Sequence, residues 1–193
     1  MLKFPAIHPV ENSAMRKLVA LILLLLSSAA AQAAEGHSHG VGHLNASLEG
    51  DVFSVELELP LESLLGFERA PKSAQDLARV RELATLLRSG DSLLLPSPAA
   101  GCALSGVSLA SAAISPELLG EKATSAAAGA SEQEHADLDA HYRFKCARPA
   151  ELKRLEVAFF DTFKRLRVIE ARLVTSKVQR AARLTGPSRG LVW

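Results

Sequence analysis

The chain has 193 residues, 48% of them hydrophobic and 22% charged, with a formal net charge of +1. That length allows one domain with a substantial core. The near-neutral balance gives no electrostatic basis for binding nucleic acid or an anionic membrane, and no nucleic-acid motif is present.

Arg16 and Lys17 precede an apolar run, Leu18 to Leu26, followed by Ser27, Ser28 and Ala31-Gln32-Ala33-Ala34. A basic start, a short apolar stretch and an A-x-A site are the three parts of a secretory signal peptide. Residues 1–33 are therefore expected to be an export signal, cleaved after Ala33 or Ala34. Pro5, Pro9 and Glu11 are foreign to such a signal, so translation is expected to start at Met15. An uncleaved anchor is the alternative, although the run is short for a bilayer. Residues 34–193 are expected to form one exported, periplasmic domain that does not insert into a membrane after cleavage.

That domain opens with Glu35-Gly36-His37-Ser38-His39-Gly40-Val41-Gly42-His43. Alternation then begins: Leu44, Ala46 and Leu48 against Asn45, Ser47 and Glu49. After a Gly50-Asp51 turn, Phe53, Val55, Leu57 and Leu59 alternate with Ser54, Glu56 and Glu58. Two period-2 runs around such a turn predict an antiparallel hairpin with one wet face, ending at Pro60. Residues 61–72 read as a connector. A helix follows, with Ser73 as N-cap, Asp76 in the capping-box position, and Leu77, Val80, Leu83, Ala84 and Leu87 on its apolar face. Gly90 suits its stop.

Pro96 and Pro98 mark a loop. Cys102 to about Ala112 reads as a strand, with a bulge at Gly106 where the apolar parity shifts. A mobile loop is expected at about residues 113–136, rich in Ala, Ser and Gly. Asp137 to Cys146 alternates cleanly, with Leu138, Ala140, Tyr142, Phe144 and Cys146 inward. Leu155 to Phe159 is a further strand candidate, Phe160 to Lys164 a helical turn, and Arg167–Val174 with Val178–Leu184 a final hairpin. The sum is an α+β domain: an antiparallel sheet under one main covering helix, a layered α/β sandwich. A small β-sandwich carrying the helix as an insert is the alternative.

Cys102 and Cys146 are the two cysteines, and an oxidising compartment favours one structural disulfide between them. A two-thiol metal or redox site is the other reading, but it normally uses close C-x-x-C spacing. The domain holds five histidines: His37, His39, His43, His135 and His141. His37 and His39 point to the same side of an extended chain and can share one ion. His135 or His141, among Glu134, Asp137 and Asp139, can complete a tetrahedral shell if the loop folds over the leader. Imidazole and carboxylate are ligands zinc accepts; nickel and copper accept imidazole as well. The bland alternative is a set of solvated terminal and loop histidines. No nucleophile elbow or converging acid, base and nucleophile set is present, so an enzyme is not expected.

The segment His37-Ser38-His39-Gly40-Val41-Gly42-His43-Leu44-Asn45-Ala46-Ser47-Leu48-Glu49-Gly50 resembles the start of the ZrgA-type periplasmic zinc-uptake proteins. The likeness continues through Leu57-Glu58-Leu59-Pro60, Gly66-Phe67-Glu68-Arg69-Ala70-Pro71, Ala100-Gly101-Cys102 and Tyr142-Arg143-Phe144-Lys145-Cys146. The resemblance implies a zinc-binding protein that assists zinc import alongside an ABC-type zinc transporter or its binding protein. It also implies a layered α/β domain with a histidine-rich loop. Two departures stand out. Arg69 occupies the place of the histidine in the usual G-F-E-H, and a guanidinium stays protonated and does not ligate zinc. The long loop is mostly Ala, Ser and Gly where the family has a dense His/Asp/Glu tract. A metal-free interaction or scaffold domain that kept the fold is the alternative these departures raise.

Overall fold

A computed structural model describes residues 39–122 and 136–193. The proposed export signal, His37, Glu134 and His135 lie outside the described residues. The hairpin forms as the alternation predicts: β1 (Val41–Glu49) and β2 (Val52–Pro60) pair antiparallel around Gly50 and Asp51. Leu44, Ala46, Phe53, Val55, Leu57 and Leu59 are buried on one face, while His43, Asn45, Ser47, Glu56 and Glu58 lie on the other. Pro60 ends β2, but the expected connector begins with a short helix, α1 (Leu61–Leu65), which buries Leu61 and Leu65. Five residues are too few for a periodic signal to emerge.

The main helix, α2 (Ala74–Arg88), starts where its capping box predicts. Ser73 Oγ accepts from the Asp76 N–H, and the Asp76 carboxylate accepts from the Ser73 N–H. Val80, Leu83, Ala84 and Leu87 join the hydrophobic core. The Asp76 carboxylate also accepts from the Lys72 N–H at 3.0 Å and from Arg69 Nη1 at 2.9 Å. The Lys72 N–H and the Arg69 guanidinium hold its carboxyl at about 2, below the ordinary 3.8. A carboxyl lowered by folding stabilises the fold above its unfolded value and loses that contribution as pH falls. The stability gap between wild type and Asp76→Asn, followed by thermal melts, should therefore close as pH falls from 3.8 to about 2.

Beyond α2 come β3 (Leu94–Pro96) and β4 (Cys102–Ala110). The register of β4 shifts between Leu104 and Gly106, the bulge expected from its parity change, and Ser105 Oγ donates to the Arg143 carbonyl there. Ile114 and Leu119 are buried, and Glu121 receives Arg88 and the Leu109 N–H, so residues 114–121 are tied to the core. Then follow β5 (Asp137–Cys146), β6 (Arg154–Val157), α3 (Phe159–Thr162), β7 (Val168–Thr175), β8 (Gln179–Leu184) and β9 (Gly190–Val192).

Six strands form one sheet in the order β4-β5-β2-β1-β7-β8; β3-β6-β9 form a second. The larger sheet is mixed rather than wholly antiparallel, because β7 pairs parallel with β1. The smaller sheet was not legible from sequence: β3 and β9 have three residues each, and Pro96 disguises one of them as loop. Leu155 and Leu191 of the smaller sheet are buried in the same core, and Trp193 stacks near Phe53, with ring centroids 6.2 Å apart. The α+β sandwich is thus two sheets and one main helix around a shared core. Cys102 and Cys146 are directly opposed on β4 and β5 and form a disulfide.

Candidate metal-handling face

The wet face of the larger sheet is set by strand parity. On β1, β2 and β5 every second side chain is excluded from the core, which places the histidines and acids of these strands on one side. Strand order then decides who meets whom. His43 lies opposite Glu58, and Glu58 lies opposite Asp139, so the three make one row across β1, β2 and β5. One row along, Asn45, Glu56 and His141 are aligned in the same way. Neighbouring strands are ~4.8 Å apart, so His43 and Asp139 sit roughly 10 Å apart with Glu58 between them.

Glu58 and Asp139 are like charges directly opposed on paired strands, an unfavourable juxtaposition taken alone. Partial burial pushes the Asp139 carboxyl above its ordinary value and the Glu58 carboxylate pushes it further, while His141 opposes both. His141 Nδ1 stands 3.7 Å from Glu56 Oε1. That is longer than a hydrogen bond.

The ends of these strands place the leader and the loop. Because β1 and β5 both run antiparallel to β2, they start at the same edge of the sheet. Asp137 pairs with Pro60, and the Leu61 N–H donates to the Ala136 carbonyl at 3.0 Å. Ala136 and Asp137 therefore enter the sheet two strands from His43.

His39 is held by its backbone. Its carbonyl accepts from Arg167 Nη2 at 3.0 Å. Next to it, the Gly40 N–H donates to the buried Ser63 Oγ at 3.1 Å, and the Gly40 carbonyl accepts from the N–H groups of Arg167 and Val168. Gly40 has φ +79°, and a Cβ there would stand 2.8 Å from the Arg165 carbonyl, so this seat needs glycine. The His39 ring leans on the connector, with Nδ1 3.2 Å from Glu68 Oε1.

Of the seven metal candidates read from sequence, His39, His43, Asp137 and His141 are described. His43 and His141 share the wet face; His39 stands at its starting edge beside Glu68. Among the described residues no three His, Cys, Asp or Glu side chains converge as a metal group. The sequence places Asp139 near His141, but it does not single out Glu58 or Glu68 as partners of these histidines. The hairpin turn could have paired Glu58 with His43, since their numbers are symmetric about Gly50 and Asp51. Arg69 is bonded to Asp76 and stacked 4.9 Å over the Phe67 ring, so it braces the connector.

Fold and face together define a small α+β domain whose larger sheet carries His43, His141, Glu56, Glu58 and Asp139 on its polar side. No curated protein matches the chain. Over residues 36–193 it matches the ZrgA family of zinc uptake proteins, and it belongs to that family. This is the family the leader and connector motifs resemble, and it is a transport-related family rather than an enzyme family. Among the described residues no helix is long and apolar enough to cross a membrane.

Proposed function

We propose that this protein binds zinc in the periplasm and assists its delivery to a transporter. The observation that carries this reading is the common starting edge of β1 and β5, with His43, Glu58 and Asp139 in one row behind it. In this reading the leader imidazoles (His37, His39, His43) and donors from the loop and β5 (Glu134, His135, Asp137, His141) supply the ligands. Imidazole and carboxylate are the donors zinc takes, and an ion held at an exposed edge suits exchange better than storage. An ABC-type zinc transporter or its binding protein would be the recipient. Membership in a zinc-uptake family and the disulfide both support export of residues 34–193 after loss of residues 1–33.

Zinc titration of the mature protein by calorimetry tests this reading. Replacing His37 and His39 together by Ala should weaken binding by more than the ~10–100-fold that loss of an orienting group alone causes. Unchanged affinity would remove the leader from the site. The rival reading, a metal-free interaction domain, draws on the commitment of Arg69 to Asp76. It requires that the purified protein bind no zinc and that a chelator leave partner capture unaffected.

A further inference from the structure

We propose that Glu68 is a positioning residue for His39: it holds the imidazole by Nδ1 and so assigns Nε2 as the atom that meets the metal. The inference rests on the zinc reading above and adds to it a named second carboxylate and a named ligand atom.

The argument begins with what neutral imidazole can do. One ring nitrogen donates and the other accepts, and the partner of the first decides which is which. Of the described histidines near the starting edge, His39 alone has a ring nitrogen within hydrogen-bonding reach of a carboxylate. The separation is 3.2 Å, against 3.7 Å for His141 and Glu56. A carboxylate only accepts, so a hydrogen bond across that separation requires the proton on Nδ1 and leaves Nε2 its lone pair. Nε2 makes no polar contact with another described residue, and the side chain is 62% exposed.

Both ends of the contact are fixed independently of each other. His39 is pinned through its own carbonyl and through Gly40 to Arg167, Val168 and Ser63. Glu68 sits in a braced connector. On one side the Gly66 N–H closes α1 on the Glu62 carbonyl; on the other Arg69 is tied to Asp76 at the N-terminus of α2. The cleft beside His39 also contains Glu62, Arg165 and Arg167. Its two guanidiniums have partners of their own: Arg165 Nε lies 3.4 Å from Glu62 Oε1, and Arg167 donates to the His39 carbonyl. Glu68 is thus the group that meets the ring. A ligating imidazole whose other nitrogen is held by a carboxylate is oriented and made a better donor before the ion arrives.

Two measurements on protein purified from the periplasm and stripped with chelator separate this inference from the zinc reading. Long-range proton–nitrogen NMR of the metal-free protein, at an alkaline pH where imidazole is neutral, should show His39 with its proton on Nδ1. Glu68→Ala should move that proton to Nε2, and Glu68→Gln, which keeps a carbonyl acceptor, should retain part of the Nδ1–H form. Zinc titration should then show affinity ~10–100-fold weaker in Glu68→Ala, with circular dichroism unchanged. A proton on Nε2 in the wild type, a tautomer indifferent to Glu68→Ala, or equal zinc affinity in the two proteins would overturn the assignment. Absence of zinc binding in the wild type, with the tautomer behaving as described, would overturn the zinc reading and the role in metal binding while leaving the Glu68–His39 pairing established.

Discussion

Removing the Cys102–Cys146 bridge should lower the stability of the oxidised domain by about 4 kcal/mol, the loop-closure value for a sequence separation of 44. For a domain of this size that corresponds to a fall in melting temperature of roughly 8–16 °C. The bridge fastens the first residue of β4 to the last residue of β5. β4 is an edge strand, and its own hold on the core is modest: Leu109 is buried, while Ala103, Ser105, Ser108 and Ala110 are exposed. Cys102→Ala with Cys146→Ala, compared with wild type by urea denaturation, measures the effect. Zinc affinity should change little in the double variant below its melting temperature. Cys146 stands at the far end of β5, roughly 30 Å from Asp137 at ~3.3 Å per residue. A parallel loss of zinc affinity in the folded variant would place the metal site elsewhere.

A single methyl group at Gly90 should cost about 1–3 kcal/mol, the range for forcing extra volume into a packed core. Gly90 is buried just after α2, and a Cβ there would stand 2.3 Å from Tyr142 Cε1 and 2.4 Å from Cδ1. Neither group can give way easily. The Tyr142 ring is 2% exposed in the centre of β5, and its hydroxyl finds no hydrogen-bond partner among the described residues. Burial pushes the phenol well above its ordinary range, so it remains neutral and bulky. Gly90→Ala should lower the urea midpoint with little change in slope. Tyr142→Leu in the same chain should recover part of the loss, a non-additivity expected of groups in contact. Full additivity would mean that the strain is taken up somewhere other than at the ring.

The role of Gly90 shows what sequence could and could not give. Its position after Arg88 and Ser89 reads as a helix stop, and α2 does end there, but contact with a ring 52 positions later leaves no local mark. Features governed by neighbours along the chain were legible: the Ser73 and Asp76 cap, the β1–β2 turn, the parity shift at Gly106, and the alternation of Asp137 to Cys146. Features governed by strand order were not. Nothing local in Val41–Glu49 says that its second neighbour is the distant β7, nor that the pairing is parallel. The same limit applies to the site. Parity puts His43 and His141 among polar side chains and the hairpin turn pairs His43 with Glu58, but only the order β5-β2-β1 brings Asp139 into their row. Glu68 was visible as part of a motif, and its partner was not, because His39 reaches it across the end of the hairpin.

The parallel pairing of β1 with β7 also fixes when the His39 seat can exist. Arg167, which holds the His39 carbonyl, follows it by 128 positions. Without β7, β1 has no second neighbour on that side, and Gly40 lacks the amides of Arg167 and Val168. The backbone seat of His39 is therefore closed from the far end of the chain, and a chain clipped before β7 lacks it.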